Sequence, residues 1–199
     1  ARIGAIHTVI FSGFSSQSIR DRLVDSQSKI IITADGGFRR GNVVKLKEVV
    51  DLAIQDLDFI QNVIVLTRTK NPINMTAKDL GWTQVLSDSS NVCPAEPLDG
   101  VHPLYILYTS GTTGKPKGVQ RDTGGYAVAL MSTMNHIFCG KAGETMFTTS
   151  DIGWVVGHSY IIYGPLLNGM ATIMYEGTPL RPDAGIWWEL VAKYNVSVM

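Results

Sequence analysis

Two residue patterns alternate along the chain, and this alternation limits the fold more than any other feature. Short apolar runs rich in β-branched residues, TVIF (8–11), KIIIT (29–33), NVIVLT (62–67), LYILYT (104–109), TMFTT (145–149), ATIMY (171–175) and VSVM (196–199), read as strands. Most lack strict polar–apolar alternation, the pattern of strands covered on both faces. Between them, apolar residues recur every three or four positions, as on the buried face of a helix. Ser15 or Ser16 can cap a helix carrying Ile19 and Leu23, and the segment 46–57 places Leu46, Val49, Val50, Ala53, Ile54 and Leu57 on one face. After Gly125, Ala127, Leu130, Met131, Met134 and Phe138 repeat that spacing, and Asp183 can cap a last helix with Ile186, Trp187, Leu190 and Tyr194 inward. Strand–helix alternation predicts an α/β fold with doubly wound, mostly parallel sheets. Ligands in such sheets gather at loops beyond the carboxyl ends of the strands. The stretch 70–101, with Pro72, Pro94 and Pro97, reads as an irregular connection between lobes.

Composition narrows the function classes. With 17 basic and 17 acidic residues among 199, the net charge is zero, which gives no global case for nucleic acid or an anionic membrane. The length suits one or two compact domains. Two cysteines, Cys93 and Cys139, are too few for a disulfide framework, so a reducing, cytoplasmic setting with free thiols is expected. His136 lies three residues before Cys139, but a lone H-x-x-C lacks the other ligands of a zinc site, and no metal site is expected within the chain. Residues 152–175 hold no Asp, Glu, Lys or Arg, about 24 positions and enough to span a bilayer. Gly153, Gly157, Gly164, Pro165, Asn168 and Gly169 break that run, so it reads as a loop, a helix and a strand of buried core. The chain opens on Ala1 without a signal peptide and closes on an apolar strand, which reads as a fragment of a longer protein.

The stretch TSGTTGKPKG (109–118) follows the strand LYILYT and concentrates chemistry. Its glycines, Gly111 and Gly114 above all, let the backbone approach a ligand, and consecutive amides in such a turn form an anion nest. Thr109, Ser110, Thr112 and Thr113 add neutral donors, Lys115 and Lys117 add charge, and Pro116 stiffens the return. The set suits polyphosphate. It is not a Walker A loop, because Gly111 and Gly114 are too close and Pro116 occupies the hydroxyl position. KPKGV then predicts a second strand, making a strand–loop–strand flap; a surface hairpin without ligand is the plainer alternative.

At YTSGTTGKPKG the chain resembles the adenylate-forming acyl-CoA synthetases, and SDIGWVVGHSYIIYGPLLNGMATIMYEGTP (150–179) is similar to their short-chain branch, the acetyl- and propionyl-CoA synthetases. ARIGAIHTVIFSGFS and LVDSQSKIIITADGG match in the same order, so the resemblance covers nearly all of the chain apart from about 70–100. It implies a fragment of the large N-terminal AMP-binding domain, divided as residues 1–123, a first lobe ending in the phosphate loop, and 124–199, the start of a second. Arg121 and Asp122 in QRDTGGY, and Val156 where the acetyl enzymes carry threonine, resemble the propionyl type.

The resemblance implies a two-step ligation with ATP, Mg²⁺ and CoA. Propionate attacks the α-phosphorus of ATP, pyrophosphate leaves, and the thiol of CoA then displaces AMP from the acyl-adenylate. By position, Thr109 to Lys115 and Lys117 hold phosphate, with Lys115 stabilising pyrophosphate. Trp154, Val155 and Val156 line a short acyl pocket, and Phe11, Gly13, Arg39 and Val156 meet CoA. A second arginine of the family's CoA site is Asn42 here, and another polar contact is Leu180. His158 either borders the acyl site or is a buried, hydrogen-bonded histidine. GHSYI lacks the closing glycine of a nucleophile elbow, which argues against Ser159 as a nucleophile. The adenine site, the Mg²⁺-binding glutamate and the catalytic lysine of the family have no counterpart within the chain, so residues 1–199 alone are expected to turn over no substrate. The alternatives are an acetyl-CoA synthetase, another adenylate-forming enzyme, or a nucleotide-phosphate-binding α/β module without chemistry.

Overall fold

The structure is a computed structural model and describes residues 1–109 and 116–199. The N-terminal run does not form the strand expected at 8–11. His7 alone bridges to Tyr105, and a turn closed by the Phe14 N–H on Phe11 O consumes the residues that follow. Ser15 then caps α1 (Ser16–Ser26), its hydroxyl accepting the Ser18 N–H at 3.2 Å. β1 (Ile30–Ala34) leads into a short hairpin, β2 (Gly37–Arg39) and β3 (Asn42–Val44), and then α2 (Leu46–Ile54). β4 (Asn62–Leu66) runs parallel to β1, Ile30 opposite Asn62 through Ala34 opposite Leu66.

The stretch 70–101 is not wholly irregular. β5 (Asp79–Gly81) adds parallel to β4, and α3 (Trp82–Ser87) follows it directly. Three residues without an apolar run carry no strand signal; pairing with β4 makes the strand.

α1 and α2 cover one face of this sheet. Ile19, Leu23, Val50, Ala53, Ile60, Val63 and Val65 form the core there. Burial alternates along β4, and Ile30 and Ile32 of β1 stay exposed, so these strands are covered on one face rather than both. At about 25 cal/mol per Å² of apolar surface removed from water, such side chains supply the main drive for the layer.

β6 (Pro103–Thr109) and β7 (Lys117–Asp122) pair antiparallel, Thr109 opposite Lys117, which bears out the second strand expected at KPKGV. α4 (Thr123–His136) follows without a break and buries Tyr126, Leu130 and Met134. Leu104, Tyr105 and Leu107 pack with Tyr126 and Leu130, so this core spans both sides of residue 123. β8 (Thr145–Phe147) is the middle strand of a second parallel sheet. Next come α5 (Val155–Gly157), a π-helical turn His158–Tyr163 and α6 (Gly164–Leu167), end to end. β9 (Ala171–Ile173), α7 (Ile186–Lys193) and β10 (Val196–Val198) complete the order β10–β8–β9.

Asp183 closes the turn ahead of α7 by accepting the Gly185 N–H at 2.7 Å, while Gly185 is the cap itself. Tyr194, expected inward, is exposed. Two parallel sheets with covering helices thus make the α/β architecture, with hairpins β2–β3 and β6–β7 as its antiparallel parts. Among the described residues no helix is long and apolar enough to cross a membrane.

Candidate functional site

Two cavities flank the turn at Trp154–Val156. The first, about 790 Å³, is walled by the end of β1, the β2–β3 hairpin and the loops after β4 and β9. It brings together Phe11, Arg39 and Trp154, with Phe11 and Trp154 rings 6.4 Å apart and the Arg39 guanidinium 5.2 Å from the Phe11 ring centre. Gly13 adjoins them: a β-carbon there would fall 2.4 Å from the Arg39 guanidinium and 2.5 Å from the Phe11 ring, so a bare backbone admits that stack. Three further arginines, Arg40, Arg68 and Arg181, line the same space, against the carboxylates of Asp151 and Glu176. Position matching alone misses them; the pair Arg39–Arg40 in GGFRRG was the available signal. Asn42 is exposed at the start of β3, and Leu180 is exposed on the loop after β9.

Asp35 holds the wall of this cavity. Its side chain is 1% exposed, and Oδ1 accepts the N–H groups of Gly36, Arg68 and Thr69 at 2.7, 2.8 and 2.9 Å. Oδ2 accepts the Asn71 N–H at 3.1 Å. One carboxylate therefore ties the exit of β1 to the loop carrying Arg68. Burial alone would raise its pKa, but the N–H donors of Thr69, Arg68, Gly36 and Asn71 outweigh it and hold the carboxyl at about 2. Lys47, with a side chain 0% exposed, fixes the next layer: Nζ meets Asp51 Oδ1 at 2.6 Å and Asp79 Oδ2 at 3.0 Å and donates to Asn74 O at 3.3 Å. Desolvation opposes its charge, yet hydrogen bonds to Asp51 and Asp79 raise its pKa.

The second cavity, about 260 Å³, is lined by Arg121 and Asp122 at the end of β7, by Gly125, Tyr126, Ala129, Leu130 and Thr133 of α4, and by Val155, Ser159 and Tyr160. Tyr126 Oη and Ser159 Oγ share a hydrogen bond of 2.8 Å. This occupies the Ser159 hydroxyl with a phenol rather than with an activating base.

Trp154, Val155 and Val156 are 46%, 44% and 47% exposed, so none is core. Trp154 joins Phe11 and Arg39, Val155 faces the smaller cavity, and Val156 lines neither of the two. Gly157 is required by crowding, since a β-carbon there would fall 2.0 Å from Asp151 O.

His158 is 1% exposed and stacks on His7 at 6.1 Å, with Nδ1 3.3 Å from Trp154 O. Burial lowers the pKa of both imidazoles and favours their neutral forms. His158 thus takes the buried, hydrogen-bonded role and braces the Trp154 turn.

Thr109 and Lys117 stand exposed and paired at the mouth of the hairpin. Ser110, Gly111, Thr112, Thr113, Gly114 and Lys115 lie outside the described residues. Cys93 and Cys139 are both free thiols. Among the described residues no cluster of three His, Cys, Asp or Glu could hold a metal ion.

The α/β scaffold and its basic, aromatic cavity have relatives among known proteins. The profile of the family described as AMP-binding enzyme matches residues 1–199, and the chain belongs to that family. An acetyl-coenzyme A synthetase of Wolinella succinogenes is 46% identical over 200 residues, covering 99% of this chain and 31% of that protein. Acetyl-coenzyme A synthetase 2 of Pseudomonas aeruginosa is 45% identical over 199 residues, covering 100% of this chain and 31% of that protein. The chain thus spans about 31% of the length of these relatives. The structure of acetoacetyl-CoA synthetase from Streptomyces lividans superposes with a TM-score of 0.88 at 24% identity, over 99% of this chain and 30% of that one, a likeness of fold.

Proposed function

We propose that the full-length protein is an AMP-forming acid–thiol ligase that activates a short-chain carboxylate with ATP and transfers it to CoA. The observation that carries this reading is the pair of cavities divided by the Trp154–Val156 turn, one basic and aromatic, one small. A carboxylate resists nucleophiles because its own leaving group is poor, and AMP is a far better one. Pyrophosphate departure needs donors fixed where charge develops, each worth about 3–4 kcal/mol. Ser110, Thr112, Thr113 and Lys115, between Thr109 and Lys117, are assigned that task, with Gly111 and Gly114 letting the backbone approach. Mg²⁺, when bound with ATP, supplies charge neutralisation of the phosphates. The nucleotide end of CoA is assigned to Phe11, Gly13 and Arg39, where an aromatic floor under guanidinium groups suits a base linked to phosphates.

Propionate is the preferred acid. Of the three residues that set this chain apart from the acetyl pattern, Arg121 and Asp122 line the small cavity together with Val155, whereas Val156 lines neither cavity. A wall of this kind discriminates one methylene by about 1–3 kcal/mol. Acetate is the second reading, supported by the names of the relatives at 45–46% identity.

Carboxylate-dependent exchange of labelled pyrophosphate into ATP tests both. A higher kcat/KM for propionate than for acetate supports the first reading, and the reverse order replaces it with the second. Exchange with neither acid sinks the ligase reading. Lys115→Ala is expected to lower exchange by about 10²–10³-fold with the fold intact; unchanged exchange would remove the loop from its assigned role.

A further inference from the structure

The larger cavity holds four guanidinium groups and two carboxylates in a chain whose net charge is zero. That local surplus of cations suits a polyanion. The four arginines are not equivalent. Among the described residues Arg39, Arg40 and Arg181 form no ion pair, whereas Arg68 Nη2 meets Glu176 Oε2 at 2.6 Å. Arg68 and Glu176 come from different segments of the lining, the loop after β4 and the loop after β9. Both are half-exposed, at 46% and 54% of the side chain, so neither partner is locked in by burial.

The backbone under Arg68 is fixed nonetheless, and the loop carrying Glu176 is tied back on itself. Asp35 accepts the Arg68 N–H at 2.8 Å, and Tyr175, beside Glu176, donates its hydroxyl to Arg181 O at 2.9 Å. The Arg68 guanidinium also lies 5.3 Å from the Phe38 ring centre, matching the Arg39–Phe11 stack at 5.2 Å. The geometry is that of a second arginine–aromatic subsite already filled by an internal anion.

We propose that Arg68 is a phosphate-binding residue of this cavity and that Glu176 tunes its affinity by occupying the guanidinium until a polyanionic ligand displaces the carboxylate. The proposal rests on the assignment of the nucleotide end of CoA to this cavity. A phosphate dianion carries more charge than a carboxylate and accepts the same two-pronged hydrogen bonding, so exchange favours the ligand. An exposed ion pair is weak enough to be given up. Glu176 therefore sets a threshold: it discourages singly charged anions, which gain little from the exchange, and admits ligands bearing several phosphate charges.

The test is calorimetric titration of the full-length protein with CoA. Glu176→Gln is expected to tighten CoA binding about two- to fivefold, the weight of one exposed ion pair. Arg68→Ala is expected to weaken it about tenfold and to flatten its salt dependence. The double variant should match Arg68→Ala, because Glu176 acts only through Arg68.

Unchanged or weaker CoA binding by Glu176→Gln, or a double variant that differs from Arg68→Ala, overturns the inference. Arg39→Ala separates the two levels. If it weakens CoA binding while Glu176→Gln does nothing, the pair alone is refuted. If Arg39→Ala also leaves binding intact, the CoA assignment of the cavity falls, and this inference with it.

Discussion

The cavity wall and the cavity rim both use opposite charges, to different ends. In the wall, Lys47 sits between Asp51 and Asp79 with no exposed surface, and Asp35 gathers four backbone N–H groups under the loop. At the rim, Arg68 and Glu176 meet in the open. A buried charge is costly unless every bond is made, so the wall cannot change partners without unfolding. An exposed pair is screened and cheap to break, so the rim is free to trade an internal anion for a ligand. Burial, rather than the kind of charge, decides which pair is structural and which is available for binding.

Lys47→Ala should have the largest effect. Removing the cation strands the buried Asp79 carboxylate, and a loss of about 3–5 kcal/mol is expected in denaturant unfolding of the domain. A loss below about 1 kcal/mol would erase the contrast between wall and rim. Asp35→Asn comes next, at about 1–3 kcal/mol, because the amide places a donor where an acceptor served buried N–H groups.

The acid limb of stability sharpens the same point. The folded-state pKa of Asp35 is depressed to about 2, so its contribution is complete above the ordinary carboxylate value and is lost as pH falls through about 2. Unfolding followed from pH 5 downward should show that loss in the wild type and a shallower one in Asp35→Asn. Tyr126→Phe, which removes the hydrogen bond to Ser159 in the smaller cavity, should cost about 1 kcal/mol. Glu176→Gln should be the mildest, within about 0.5 kcal/mol in stability, with its effect confined to ligand binding. A loss as large as that of Lys47→Ala would make the rim part of the wall.

Much of the scaffold was legible because local chemistry specifies it. Ser15 caps α1, Ile19 and Leu23 face the core, and the glycine-rich stretch is bracketed by the paired strands β6 and β7. Other elements had no local signal. TVIF has the composition of a strand, yet beyond the single bridge at His7 it finds no ladder partner among the described residues; Asp79–Gly81 lacks that composition, yet pairing with β4 makes it one. Nothing local marks Lys47 for burial; only the approach of Asp79, 32 positions further on, makes it tolerable.

The sequence by itself determined the α/β alternation, the glycine-rich motif and the residues that set the family, since spacing and composition are properties of neighbours along the chain. Tertiary structure alone decided that Trp154 stands with Phe11 and Arg39 while Val155 faces the other cavity, and that Arg68 meets Glu176 across 108 positions. Charge and burial depend on which distant segments converge, and convergence is set by how the layers pack.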